Sequence, residues 1–103
     1  MGLDVYMMKG KSTNSDDVGY WRRSWGVVHA VSHVIDTVIE NGQVYTLHKR
    51  TLLDVIRRAL ILYRDDEYDS GISDFPEDMK ELCKALEYMV DNDKEYIYFM
   101  ISY

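Results

Sequence analysis

Cysteine is almost absent from this chain of 103 residues, and a long apolar run is absent altogether. Because Cys83 is the only cysteine, no disulfide can form within the chain, which favours a reducing compartment such as a cytoplasm. The apolar runs fall well short of the roughly 20 residues that span a bilayer, so we expect no membrane partner. The length predicts a single domain, residues 1–103.

Complete catalytic motifs are missing as well. The chain has no HExxH pattern of zinc proteases, no GxSxG nucleophile motif and no glycine-rich loop for a phosphate. Cys83 lies on an apolar stripe with helical spacing, so we interpret it as a core residue rather than as a nucleophile. These absences favour a binding protein over an enzyme.

Basic residues are outnumbered by acidic ones, 12 to 18, which gives the chain a net charge of −6. Such a chain does not attract phosphate through its overall field, so direct binding to nucleic acid is not expected. Seven of the acids lie between residues 65 and 78, where no lysine or arginine occurs. They form either a solvated loop and helix start or a surface that docks on a basic partner. The partner-binding candidates are Asp65, Asp66, Glu67 and Asp69.

Alternating apolar residues predict a strand at each end of the chain, in LDVYMMK (residues 3–9) and EYIYFMISY (residues 95–103). Between them, three apolar stripes with helical spacing predict three helices. Two isolated strands would be marginal, so we expect the terminal strands to pair. The expected fold is therefore α+β, with three helices packed on a small antiparallel sheet that includes the N- and C-terminal strands.

Local signals set the predicted helix boundaries. The first helix covers residues 24–40 and ends at an Asn-Gly pair. The second begins with a capping-box pattern at Thr51, and the third begins after Ser73 or Asp74. Residues 10–19 are rich in turn formers and predict a loop, and QVYTL, residues 43–47, is consistent with a short extended piece.

Two histidines, His29 and His33, are spaced four residues apart on the first predicted helix, so they share one face. This spacing can supply two nitrogen ligands to one zinc ion, with further ligands from elsewhere. The alternative is a half-exposed polar stripe without metal. Because the HExxH glutamate is absent, any zinc here is expected to be structural.

The segment GYWRRSW, residues 19–25, mixes tryptophan with arginine. Both residue types are frequent anchors in protein interfaces, which makes Trp21 and Arg22 candidates for partner binding. In the alternative interpretation, the tryptophans pack on the sheet and the arginines pair with acidic residues.

Three pieces of the chain together are similar to a known group. MGLDVYM (residues 1–7), DVGYWRR (residues 17–23) and the aromatic C-terminal strand resemble small phage-encoded proteins that begin MGLDMYL and carry a VGYWRKAN-x-x-H segment. The histidine of that segment falls at Val28 here, and His29 follows it. The group has no established common activity, so the resemblance implies a phage setting and not a reaction.

These observations give a ranked expectation about function. The first hypothesis is a phage protein that disables a nucleic-acid-binding host nuclease, as an anti-CRISPR inhibitor that blocks access of nucleic acid. The alternatives are a small zinc-dependent enzyme built on His29 and His33, or an accessory protein that oligomerises. On the first hypothesis the protein acts in the cytoplasm of the infected bacterium.

Overall fold

The computed structural model describes residues 2–69 and 74–103. Within these ranges the chain forms four strands and three helices: β1 Asp4–Met8, β2 Asp17–Arg22, α1 Trp25–Ile35, β3 Tyr45–His48, α2 Lys49–Arg64, α3 Phe75–Asp91 and β4 Tyr96–Ser102. The expected α+β fold, with both terminal strands in one antiparallel sheet, is confirmed. No helix in the described part of the chain is long and apolar enough to cross a membrane.

The sheet has the strand order β2-β1-β4-β3, and all neighbouring strands are antiparallel. The two central strands are therefore the terminal strands of the chain. Val5 and Met7 of β1 pair with Ile101 and Phe99 of β4, and all four side chains are buried on the face that carries the helices. A slip of one residue in this register would turn the same side chains to the opposite face, so core burial fixes the pairing.

The strand β2 was not expected, because its first residues belong to a segment that is rich in turn formers. Gly19 interrupts the apolar alternation and conceals the strand pattern. A Cβ atom at Gly19 would lie 2.8 Å from the ring of Trp21, so the glycine leaves room for this ring. The tryptophan is 2% exposed and is among the largest side chains of the core.

The helix α1 is shorter than expected and ends at Ile35 instead of Glu40. Asp36 adopts a left-handed backbone with φ 55°, and the N–H of Thr37 donates to the carbonyl of Ser32 at 3.1 Å. The helix therefore closes before Val38, which the apolar stripe had included and which is 81% exposed.

Of the two predicted starts, that of α2 is wrong and that of α3 is confirmed. α2 begins at Lys49, where the Nδ1 atom of His48 accepts the N–H of Arg50 at 3.1 Å, instead of at Thr51. α3 begins after Asp74, whose carboxylate accepts the N–H of Glu77 at 3.0 Å. Ser73, the other predicted cap, lies outside the described residues.

The inner face of α3 differs from the expected stripe by about one residue. Its buried positions are Asp78, Leu82, Ala85 and Met89, whereas Cys83 is exposed. The interpretation of Cys83 as a core residue is therefore wrong. The sequence pattern favoured the larger apolar residues on the neighbouring face, but the small Ala85 and the hydrogen-bonded Asp78 face the core.

Candidate functional site: an acidic segment beside an exposed tryptophan

The acidic segment, residues 65–69, follows α2 and is tied to its last turn. The N–H of Glu67 donates to the carbonyl of Leu62 at 2.8 Å, and the N–H of Asp66 donates to that of Tyr63 at 3.2 Å. Asp66 has φ 58°, so an aspartate occupies the left-handed position that glycine usually fills in this type of helix ending. The carboxylates of the segment are consequently held on a defined turn at the surface of the protein.

All four carboxylate residues of the acidic segment are exposed. Asp65 accepts two hydrogen bonds from Arg64, at 3.0 Å from Nε and 3.4 Å from Nη2. These bonds lower the pKa of Asp65 and raise the pKa of Arg64. Both side chains are exposed to water, so the main effect of the pair is on local charge rather than on stability. Asp66 and Glu67 extend the negative surface beyond it.

Tyr68, in the middle of the acidic segment, anchors the segment to the rest of the protein. Its hydroxyl donates to Oδ2 of Asp78 at 2.7 Å, and the Ser24 hydroxyl donates to the same oxygen at 2.7 Å. Asp78 is 1% exposed and Ser24 is fully buried. We call these three residues the buried polar cluster. It joins the acidic segment, α3 and the start of α1.

The Ser24 side chain has a structural role in this cluster. Its oxygen also accepts the N–H of Val27 at 3.3 Å, so Ser24 caps α1 while it donates to Asp78. A serine beside a carboxylate could suggest nucleophilic chemistry. Because Ser24 is fully buried, no substrate reaches its hydroxyl in this conformation, and the pair instead holds two helices together.

The first turn of α1 receives the acidic segment through Gly26. Its N–H donates to the carbonyl of Asp69, and a Cβ atom at this position would overlap the ring of Tyr68. Only glycine allows the ring to lie this close to the helix. The acidic segment is thus docked on α1 by a backbone bond and by ring packing.

The two tryptophans of the GYWRRSW segment have opposite environments. Trp21 is buried, and its Nε1 atom donates to the carbonyl of Asp78 at 2.9 Å, so its assignment to a partner-binding surface is corrected to the core. Trp25 is 38% exposed, and its ring centroid lies 6.2 Å from that of His29 and 6.3 Å from that of Tyr103. We call Trp25, His29 and Tyr103 the Trp25 cluster.

The structure therefore brings together parts of two regions that the sequence had suggested separately. Trp25 directly precedes Gly26, the residue to which the acidic segment is bonded. An exposed aromatic cluster and a negative segment consequently share the first turn of α1. Arg22 is exposed at the end of β2, two residues before the buried Ser24. Strand alternation along β2 was the sequence signal that could have distinguished the two tryptophans. If β2 had been recognised, this alternation would have predicted that Trp21 points into the core.

His29 and His33 lie on α1 and are both exposed, as neighbours one helical turn apart. Among residues 2–69 and 74–103, no group of three or more His, Cys, Asp or Glu side chains is arranged to hold a metal ion. A structural zinc at this pair stays a prediction. Its further ligands would have to come from a rearrangement or from another molecule.

The chain matches no protein-family model, no curated protein and no solved structure at a significant level. The functional argument therefore rests on the geometry of the surface itself.

Proposed function

We propose that this protein binds and inhibits a host protein during phage infection, with a nucleic-acid-binding defence nuclease as the target. In the specific form of the proposal, it is an anti-CRISPR that blocks access of nucleic acid and acts in the cytoplasm of the infected bacterium. The observation that carries the proposal is the exposed Trp25 beside the docked acidic segment.

The physical basis is a match between this surface and a basic channel. Carboxylates at fixed positions complement the lysine and arginine side chains that hold a phosphate backbone, and they also accelerate association through long-range attraction. Tryptophan is among the residues that most often contribute strongly to binding when they are buried in an interface. Trp25 supplies this anchor, while Asp66 and Glu67 supply the charge.

The test compares two triple variants in bacteria that carry an active CRISPR system and are challenged with a targeted phage. Asp66→Asn/Glu67→Gln/Asp69→Asn removes charge from the acidic segment, and asparagine tolerates the left-handed backbone at residue 66. The control, made by Glu87→Gln, Asp91→Asn and Asp93→Asn, removes three exposed charges near the end of α3 and also includes one left-handed position. Both variants change the net charge equally.

We expect the wild-type protein and the α3 control to restore plaque formation, and the acidic-segment variant to lose most of this effect. Equal protection by both variants would remove the acidic segment from the mechanism. No protection by the wild-type protein against any of several CRISPR types would remove the anti-CRISPR function itself. A Trp25→Ala variant measures the contribution of the aromatic anchor separately.

A further inference from the structure

The sheet has a second face that none of the helices formed by residues 2–69 and 74–103 covers. All three helices pack on the side of Val5, Met7 and Phe99, and the register places every second residue of each strand on the opposite side. We call this side the open face. Its side chains are those of Asp4, Tyr6, Tyr20, Arg22, Thr46, His48, Tyr96, Tyr98, Met100 and Ser102. Met8, at the register shift of β1, is buried and is not counted among them.

Tyrosine dominates the open face. Tyr6 and Tyr98 lie on the two central strands, whereas Tyr20 is on the edge strand β2 and Tyr96 begins β4. Tyr20 and Tyr96 are 41% and 52% exposed. None of the four belongs to the hydrophobic core, so their presence is not explained by packing against the helices.

Three of the four tyrosine rings, those of Tyr6, Tyr20 and Tyr96, contact neighbouring side chains. Tyr6 and Tyr20 face each other across β1 and β2 with centroids 5.4 Å apart, and the Tyr96 ring lies edge-on to His48 at 5.4 Å. The Tyr20 hydroxyl donates to Asp4 at 2.6 Å. Ring surfaces that are ordered in advance lose little conformational entropy when a partner covers them.

Carboxylates lie at both ends of the tyrosine array. Asp4 lies at one end, and Glu95, which contacts His48 at 3.0 Å, lies at the other. The hydrogen bond to Asp4, followed by burial, raises the pKa of Tyr20 to about 12. Burial and the charge of Asp4 raise the pKa of Tyr6 as well. Both hydroxyls therefore stay neutral at physiological pH. The carboxylates at the two ends are those of Asp4, which has Arg22 as its neighbour on β2, and of Glu95, which contacts His48.

We propose that the open face is a docking site for a protein that presents arginine side chains. A guanidinium group stacks on a tyrosine ring and at the same time donates to a carboxylate, and the open face offers both partners within one surface. This inference goes beyond the proposed function, because it concerns the side of the sheet opposite the helices and does not depend on the Trp25 cluster or the acidic segment.

Charge distinguishes this occupant from two others. Single-stranded nucleic acid also stacks on aromatic sheets, but its phosphates would meet Asp4, Glu95 and a chain of net charge −6, and Arg22 is the one lysine or arginine among the open-face side chains named above. A second copy of the chain would bring the same carboxylates against each other. An arginine-bearing surface is attracted by the rings and by the carboxylates alike.

The test is a titration of the isotope-labelled protein, observed by the backbone amide signals in NMR. The probes are a peptide of four Arg-Gly repeats, a peptide of four Lys-Gly repeats and an eight-nucleotide oligothymidine. A four-stranded sheet face is smaller than a standard interface, so the expected dissociation constant for the arginine peptide is on the order of 0.1 mM. The arginine peptide should shift the amide signals of β1 and β4, and the other two probes should bind at least about fivefold more weakly.

Variants assign the response to the tyrosines. Two variants, Tyr98→Thr and Tyr96→Thr, should each weaken binding of the arginine peptide about fivefold or more, as loss of a cation–π contact predicts. Tyr96 is the more exposed of the two positions. Threonine preserves strand propensity, and the second variant decides the question if the first does not fold. Tyr63→Ala, which removes an exposed tyrosine from α2, is the matched control and should leave binding unchanged.

Several results would overturn the proposal: no shift with the arginine peptide, equal shifts with the lysine peptide, tighter binding of the oligonucleotide, or a dimer that masks the open face. The Asp66→Asn/Glu67→Gln/Asp69→Asn variant should still bind the arginine peptide. Its behaviour therefore separates a failure of this inference from a failure of the proposed inhibitor function.

Discussion

After each of the three helices, an aspartate adopts the left-handed backbone conformation that glycine adopts with less strain. Asp36, Asp66 and Asp93 all have positive φ, at 55°, 58° and 52°. Aspartate tolerates the left-handed region better than most residues, yet it still has a Cβ atom that crowds the following carbonyl. The segment DNDK, residues 91–94, indicates the end of α3 but does not show which residue adopts this conformation, because Asp and Asn give the same signal.

The first prediction concerns Asp93, the left-handed residue just after α3. The next residue, Lys94, closes the helix end, since its N–H donates to the carbonyl of Met89 at 2.8 Å. Asp93→Gly should raise the free energy of unfolding by about 0.5–1 kcal/mol, because glycine adopts this backbone without the Cβ clash. Urea unfolding followed by circular dichroism measures the change. The control Asp91→Gly, within the last turn of α3, should lower stability by about 0.5–1 kcal/mol. A loss of stability in both variants would contradict the prediction.

The second prediction concerns Tyr68 in the buried polar cluster. Tyr68→Phe keeps the ring on Gly26 but removes one of the donors to Asp78. Because the carboxylate of Asp78 is buried, we expect a loss of about 1–2 kcal/mol in the free energy of unfolding at neutral pH. Chemical denaturation of both proteins gives this difference directly.

The same variant has a pH dependence with a defined sign. Burial is the main cause that raises the pKa of Tyr68 above its ordinary value near 10. Below pH 10 the hydroxyl keeps its proton in both states, so its contribution is fully present. As the pH rises further, the unfolded chain loses this proton and the folded protein does not, so wild-type stability falls. The stability gap to Tyr68→Phe should narrow above pH 10, and an unchanged gap at about pH 11 would disprove the assignment.

At the scale of elements, periodicity predicted the structure where it was undisturbed. β4 alternates regularly and β1 does so as far as Met7, and these side chains divide between the two faces as expected. Met8 departs from the pattern, because the register shifts between Met7 and Met8 and both side chains are buried. β2 was missed because Gly19 and Trp21 depend on each other: the glycine makes room for the ring, and neither residue alone predicts a strand. The docking of the acidic segment on Gly26 is likewise a tertiary contact with no local signal. The sequence therefore indicated the acidic residues and the tryptophan as separate candidates but did not predict that they lie together.

The third prediction concerns the exposed face of α1. His29 and His33 can bind zinc only if further ligands join them, because the described residues place no third ligand beside this pair. If structural zinc is bound, protein purified without a histidine tag should contain about one zinc per chain, and a chelator should lower the melting temperature. His33→Ala should abolish both effects. Substoichiometric zinc with no effect of the chelator would leave the pair as a polar stripe.

At the scale of the whole molecule, the sheet order explains how the two terminal strands stabilise the fold. β1 and β4 occupy the centre, β2 is the edge strand beside β1, and β3 is the edge strand beside β4. The sequence predicted that the terminal strands pair, since each would be marginal alone. It indicated a short extended piece at residues 43–47, which overlaps β3, but it did not predict β2 or the flanking positions of the two strands. Neither flanking strand has a long alternating pattern, so both depend on a central strand that the sequence does reveal.

The last prediction follows from this dependence on β4. A variant that ends at Glu95 loses the whole of β4 and with it the partner of β3. It also loses Ile97, Phe99 and Ile101, which are almost fully buried. Burial of each contributes about 2–3 kcal/mol, which together is comparable to the total stability of a small domain. We expect no cooperative thermal or urea transition in this variant. Removal of Tyr103 alone, which is 56% exposed and follows the strand, is the control and should preserve the transition. A cooperative transition without β4 would show that β1, β2 and the three helices form a core of their own.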